Sequence, residues 1–229
     1  MKSQIPQNPP EFAQACLKAL ADQGLGNFLS LGGAFGLMHY HEYRTTHDVD
    51  AWWQPNATPE VQKKIIVILE STLETFGSVR TRVWGEVVSV ELHSSGKQVF
   101  SFQIARRSAQ LNPSTTSPWG NLLLDSFDDL VANKMIALVE RGAPRDFLDI
   151  YQLCAESLTT PPQCWQLWSK RQQLAGSDTD YARARLAVLT HLARIEQHRP
   201  LENITDDFAR AEAERVRTWF KEVFVDDLS

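Results

Sequence analysis

Cysteine is scarce in this 229-residue chain, with only Cys16, Cys154 and Cys164. The number is odd and no two stand in Cys-x-x-Cys spacing, which argues against a disulfide framework and a thiolate zinc or redox site; buried reduced thiols are expected. Long apolar runs are missing too, each being broken by polar residues well short of the ~20 needed to cross a bilayer. Met1-Lys2-Ser3-Gln4 leads into Pro6 and Pro9-Pro10 rather than into an apolar signal core, so a cytoplasmic protein without membrane contact is expected. Positive charge is not in excess. The formal net charge of −5 gives no general attraction to nucleic acid, although it leaves room for a local basic patch. Arg80, Arg82, Arg106 and Arg107 fall on or beside the expected central strands, and Lys170-Arg171, Arg183, Arg185 and Arg194 recur in later helical segments. Their plainest reading is solvated surface or salt-bridge partners.

What is present suits a globular protein: 43% hydrophobic and 22% charged residues can form one sizeable core and a smaller second one. Apolar spacing predicts a helix over residues 11–23, ended by Gly24 and Gly26, and a strand over 28–31. Pro59 follows Thr58, a cap for a helix reaching Thr75. Alternation in 87–93 and 99–105 predicts a hairpin turning at Ser94-Ser95-Gly96-Lys97, with Val88, Val90, Leu92, Phe100, Phe102 and Ile104 inward. Residues 107–120, rich in Ser, Thr and Pro, read as a loop that either borders a site or simply connects. From Asp125 the pattern is nearly continuous helix, with expected segments to Glu140, over 145–156, from Pro161, from Asp178 and from Thr205. A mixed helix and strand domain over 1–120 followed by a helical domain over 121–229 is expected.

The stretch from Leu29 to Trp53 carries the chemistry. A short apolar run, the Gly32-Gly33 pair and a periodic segment read as strand, tight turn and helix. Glycines there let backbone approach a ligand and leave the first helical N–H groups for an anion, which outlines a phosphate site. Asp48-Val49-Asp50-Ala51 then places two carboxylates on one strand face about 6.5 Å apart, with Val49 and Ala51 toward the core. Carboxylates at that reach can share Mg²⁺ ions that bridge nucleotide phosphates. His47-Asp48 also matches the His-Asp pair of a metal phosphohydrolase, but that pair belongs on helices, and Asp48 opens a strand. His39 and His41 are expected as partly exposed helix-end residues.

A second constellation follows in Lys134 to Tyr151. Lys134 and Arg141 share a helix face, and Asp146 and Asp149 share a face of the next helix. Two cations and two anions meet at one corner, read equally well as an ion-pair network with Asp146 favouring its helix N-terminus or as part of a site.

The Gly32-Gly33 turn, Arg44-Thr45-Thr46-His47-Asp48-Val49-Asp50 and the Lys134 to Asp149 run together resemble the AbiEii-type nucleotidyltransferases and related toxin-like families of the DNA polymerase beta superfamily, over residues 28–153. The resemblance implies an α+β fold, a small mixed nucleotidyltransferase-type sheet with flanking helices followed by a C-terminal helical domain. It implies transfer of a nucleotide from a nucleoside triphosphate, dependent on Mg²⁺ or Mn²⁺. Several such relatives are toxins paired with an antitoxin protein, and some modify the acceptor end of tRNA. Position by position, Gly32 and Gly33 would hold the triphosphate, Asp48 and Asp50 the metals, Arg44 and Thr46 would support the loop, and Lys134 would face the phosphates. Arg145, Asp146 and Asp149 match the second motif, whose acidic residue assists the acceptor or organises the site. One departure stands out. The third metal carboxylate of the superfamily corresponds to Gln103, an amide and a weaker ligand, with Glu91 on the neighbouring strand as the candidate substitute. An RNA or protein acceptor is expected, with a catalytically weakened nucleotide- or partner-binding protein as the alternative.

Overall fold

The computed structural model describes residues 2–224. Two compact units divide the chain, Met1–Leu130 and Val131–Ser229.

The first unit is built on a seven-stranded mixed sheet in the order β3-β4-β5-β2-β1-β7-β6. Its strands are β1 Leu29–Leu31, β2 Asp48–Trp53, β3 Ser78–Trp84, β4 Val87–Ser94, β5 Lys97–Ala105, β6 Thr115–Thr116 and β7 Leu123–Leu124. β2 runs antiparallel to β1 and parallel to β5, so the strand carrying Asp48 and Asp50 lies inside the sheet. Side chains alternate as the sequence pattern demands. Val49, Ala51, Val90, Leu92, Phe100, Phe102 and Ile104 are buried in the core with α1 (Glu11–Asp22) and α3 (Pro59–Glu74). Each large apolar side chain so buried contributes about 1.5–3 kcal/mol. Thr58 caps α3 by accepting the N–H of Val61 at 3.4 Å, as its place before Pro59 predicts. The mixed sheet with flanking helices is the expected fold class.

Three local expectations change. Residues 78–84 form β3, an added strand next to β4, whose Arg80, Arg82 and Trp84 are exposed and which therefore lacks a clear alternating apolar signature. The 107–120 segment is pinned rather than merely connecting. Asp129 accepts the N–H groups of Leu111 and Asn112 at 2.7 and 3.0 Å, and β7 pairs with β1, which ties residues 121–130 to the first unit. His39, expected at a partly exposed helix end, is buried instead. Its Nδ1 lies 2.9 Å from the carbonyl of Phe35, and Nε2 accepts the Trp119 indole N–H at 2.7 Å. Those two partners require the neutral ring protonated on Nδ1. Burial lowers its pKa from the ordinary value of 6.5.

The second unit is helical, with α4 (Phe127–Glu140) entering it, then α5 (Pro144–Ala155), α6 (Pro161–Leu174), α7 (Tyr181–His198) and α8 (Asp207–Trp219), which continues as a wide π-helical turn over Phe220–Phe224. Aromatic pairs dominate its core: Phe147 meets Phe220 edge-on at 4.7 Å and Trp165 meets Phe224 at 5.4 Å. Such pairs add about 0.5–1.5 kcal/mol each beyond burial. Thr160 and Gln163 cap α6 reciprocally.

Candidate functional site

Gly32 and Gly33 close β1 and open α2 (Gly33–Met38), a helix of only six residues. The Gly32 N–H donates to the backbone oxygen of Asp50 at 2.8 Å, which fixes the turn against the middle of β2. Gly33 has φ +58°, and a Cβ built on it would stand 2.0 Å from Oδ2 of Asp50. No side chain fits there, so glycine is required by both conformation and space. A Cβ on Gly32 would likewise meet the Trp52 indole nitrogen at 2.5 Å.

Asp48 and Asp50 lie half-buried on one face of β2 while Val49 and Ala51 are buried on the other. Ahead of them, the Asp48 N–H donates to the Thr46 hydroxyl at 3.3 Å, so Thr46 sets the strand's entry. The Arg44 guanidinium donates to the Thr45 carbonyl at 3.2 Å and lies 5.9 Å from the Tyr43 ring centroid. On β5, Ser101 faces Asp48 and Gln103 faces Asp50 in register. The Ser101 hydroxyl donates to Oδ1 of Asp48 at 2.7 Å and accepts from the Gln103 amide at 3.3 Å. A relay of neutral donors therefore orients the first carboxylate.

Glu91 follows Ser101 in the same cross-strand row, one strand farther from Asp48. With strands about 4.8 Å apart, its backbone lies roughly 10 Å from that of Asp48. Its carboxylate is 3.2 Å from both Arg82 Nε and His93 Nε2. Gln103, by contrast, is the direct neighbour of Asp50. Among the described residues, no three His, Cys, Asp or Glu side chains converge to hold a metal ion. Two carboxylates on one face still suit a single hard divalent cation whose other positions are filled by phosphate oxygens and water.

The second motif forms a buried, charge-balanced network. Lys134 Nζ lies 2.6 Å from Asp149 and 3.9 Å from Asp146, and all three side chains are nearly or fully buried. Arg141 forks onto Asp146 with bonds of 2.8 and 2.9 Å, while Asp146 also accepts the Ala143 N–H at 3.2 Å at the start of α5. The corner of two cations and two anions is thus formed, with Lys134 held by carboxylates and Arg145 exposed beside it.

The family profile described as nucleotidyl transferase AbiEii toxin, type IV toxin–antitoxin system, matches residues 15–222. The chain belongs to this AbiEii family. Among solved structures it is similar to a candidate nucleotidyltransferase from H. pylori, with 14% identity, a TM-score of 0.51 and coverage of 96% of this chain and 95% of that one. At that identity the likeness shows a shared fold. No curated protein sequence matches the chain.

One polar cluster of this AbiEii chain was not legible beforehand. Arg107 donates to the Ser30 hydroxyl at 2.5 Å and to Asp125 Oδ1 at 2.6 Å, while its guanidinium carbon lies 5.5 Å from the Trp52 ring centroid. Asp125 is fully buried beside the Gly32 turn, its N–H donating to the Leu31 carbonyl at 3.0 Å. Burial pushes its carboxyl pKa up, and Arg107 pulls it back. The Trp52 indole N–H, Arg107 Nε and Asp125 Oδ2 are buried with no hydrogen-bond partner among the described residues. The only sequence signals were an arginine at a strand end and an aspartate ahead of a helix, with nothing local to pair them.

Proposed function

We propose that this AbiEii chain is a Mg²⁺-dependent nucleotidyltransferase that moves a nucleotide from a nucleoside triphosphate to an RNA acceptor, tRNA included, or to a protein hydroxyl, and that it is the toxin of a toxin–antitoxin pair acting in the cytoplasm. The observation that carries this reading is the approach of the Gly32-Gly33 turn to Asp50, with Asp48 on the same strand face. Triphosphate and carboxylate-held cation require those two features side by side.

In this reading the acceptor hydroxyl oxygen bonds to the α-phosphorus and gives up its proton to solvent, as the bond from the α-phosphorus to the oxygen bridging the α- and β-phosphates breaks and pyrophosphate leaves. A divalent cation, when bound, offsets the phosphate charge. Asp48 and Asp50 would hold it, with Mn²⁺ an acceptable substitute; Ser101 keeps Asp48 in its rotamer, and Thr46 and Arg44 set the approach of the chain to β2. Gly32 and Gly33 bring backbone close to the triphosphate. Lys134 and Asp146 fix the start of α5, where Arg145 presents a cation suited to phosphate. We assign Gln103, not Glu91, to the flank of the metal site, because it neighbours Asp50 in register.

The amide at Gln103 also favours a second reading, a catalytically weakened protein that binds nucleotide or a partner without turnover. Incubating the chain with each α-labelled triphosphate, Mg²⁺, total tRNA and cell extract separates the two: label moving to RNA or protein supports the enzyme, and metal-dependent triphosphate binding without transfer supports the binder.

A further inference from the structure

Away from the carboxylate pair, the helical unit carries a basic groove. Three adjoining cavities of about 360, 320 and 490 Å³ share Pro144, Ile195 and Arg199 along their walls. Apolar side chains line them, Ile195 in all three and Phe147, Leu148 and Val216 in the first, together with exposed Arg145, Arg194, His198 and Arg199 and buried Arg217. Two acids also line them, Glu212 and Asp206, and Asp206 is occupied in capping α8 by accepting the Ala209 N–H at 2.7 Å. Arg194, His198 and Arg199 are exposed, and no carboxylate pairs with them among the described residues. In a chain of net charge −5 this concentrates positive charge on one side of one unit.

Helix electrostatics account for only part of the pattern. Arg194, His198 and Arg199 sit at the C-terminal end of α7, where the helix dipole favours cations. Arg145 sits in the first turn of α5, where the dipole disfavours them. Buried Arg217 donates to the carbonyl of Arg199 at 2.7 Å and fixes the backbone that presents that side chain. Cations gathered from opposite helix ends around a single groove suit an anionic ligand spanning both. Arginine predominates over lysine, and its fork matches phosphate oxygens. Exposed cations beside apolar side chains suit a phosphate backbone with its unstacked bases.

We propose that this groove binds a single-stranded segment of RNA, the acceptor in the transfer reaction. Its role as acceptor rests on the function proposed above, whereas the binding itself does not. Arg141, which forks onto Asp146, lines the same groove, so RNA seated there reaches the ion-pair network of the second motif.

The test is fluorescence anisotropy of a fluorescein-labelled single-stranded oligoribonucleotide with the full chain at several salt concentrations. Arg194→Glu with Arg199→Glu is expected to weaken binding by about tenfold or more and to flatten its salt dependence, and the corresponding glutamine pair to weaken it less. Lys170→Glu with Arg183→Glu, an equal charge change on exposed residues outside the groove, should stay within about twofold of the unaltered chain. Equal losses in the two reversal variants, no loss in the groove variant, or displacement of the RNA by polyglutamate as readily as by unlabelled RNA would overturn the proposal. Asp48→Asn with Asp50→Asn should retain RNA binding. If no triphosphate supports transfer while the groove variant still loses RNA, the transfer reading fails and the groove stands; if the groove variant labels RNA at an unchanged rate, the groove fails and the transfer reading stands.

Discussion

Gly33 is packed so closely against Asp50 that a Cβ on the glycine would lie 2.0 Å from the carboxylate oxygen Oδ2. The turn after β1 and the second acid of β2 are therefore one mechanical unit. Gly33→Ala cannot be accommodated without moving Asp50, and it also places an L side chain at φ +58°. Gly24 has a similar φ of +67° with nothing within 4 Å of its built Cβ. Gly24→Ala should cost about 1–2 kcal/mol from backbone strain alone, and Gly33→Ala clearly more, measured by urea denaturation. Equal costs would mean that the Asp50 contact is not a constraint.

The buried ion pairs of the second motif predict a stability effect. Lys134→Met leaves Asp149 buried beside a neutral side chain and should destabilise the fold by about 3–5 kcal/mol, with Lys134→Met combined with Asp149→Leu recovering much of that loss. A Lys134→Met chain that melts like the unaltered protein would show that the network is not a stabilising element.

His39 predicts a pH effect. Its folded-state pKa lies below the ordinary 6.5, so the unfolded chain binds the proton more readily than the folded one. The stability contributed is complete above that ordinary value and is lost as pH falls below it toward the folded-state pKa. His39→Gln should flatten the dependence of unfolding free energy on pH across this window. An unchanged slope would place the titration elsewhere.

The amide beside Asp50 is open to substitution. Gln103→Asp places a third carboxylate on the sheet face of Asp48 and Asp50, and should tighten Mg²⁺ binding in the presence of triphosphate. Glu91→Gln should leave that affinity nearly unchanged, because Glu91 belongs to Arg82 and His93. Calorimetric titration of both variants checks this. A large loss in Glu91→Gln would move the metal site toward β4.

Much of this architecture was legible where the determining signal is local. The Gly-Gly turn and the alternation of Asp48, Val49, Asp50 and Ala51 declare themselves within a few residues, as do Phe100, Phe102 and Ile104 against Ser101 and Gln103. The Lys134, Arg141, Asp146 and Asp149 corner followed from helical spacing. The ties that remained hidden join distant residues: Trp119 covers His39 from 80 positions away, and Arg107 meets Asp125 across 18. β3 escaped because its exposed, Arg-rich face resembles a polar connection until β4 supplies a partner.

The most direct test of the central claim is transfer of label from α-labelled nucleoside triphosphates to RNA or protein, with and without Mg²⁺, by the unaltered chain and by Asp48→Asn and Asp50→Asn. The unaltered chain is expected to transfer label only with the metal. Both variants should fold normally and lose activity by more than the about 10–100-fold typical of removing a group that merely supports a metal ligand. Transfer at an undiminished rate by either variant, or none by the unaltered chain with any of the triphosphates, would contradict the account.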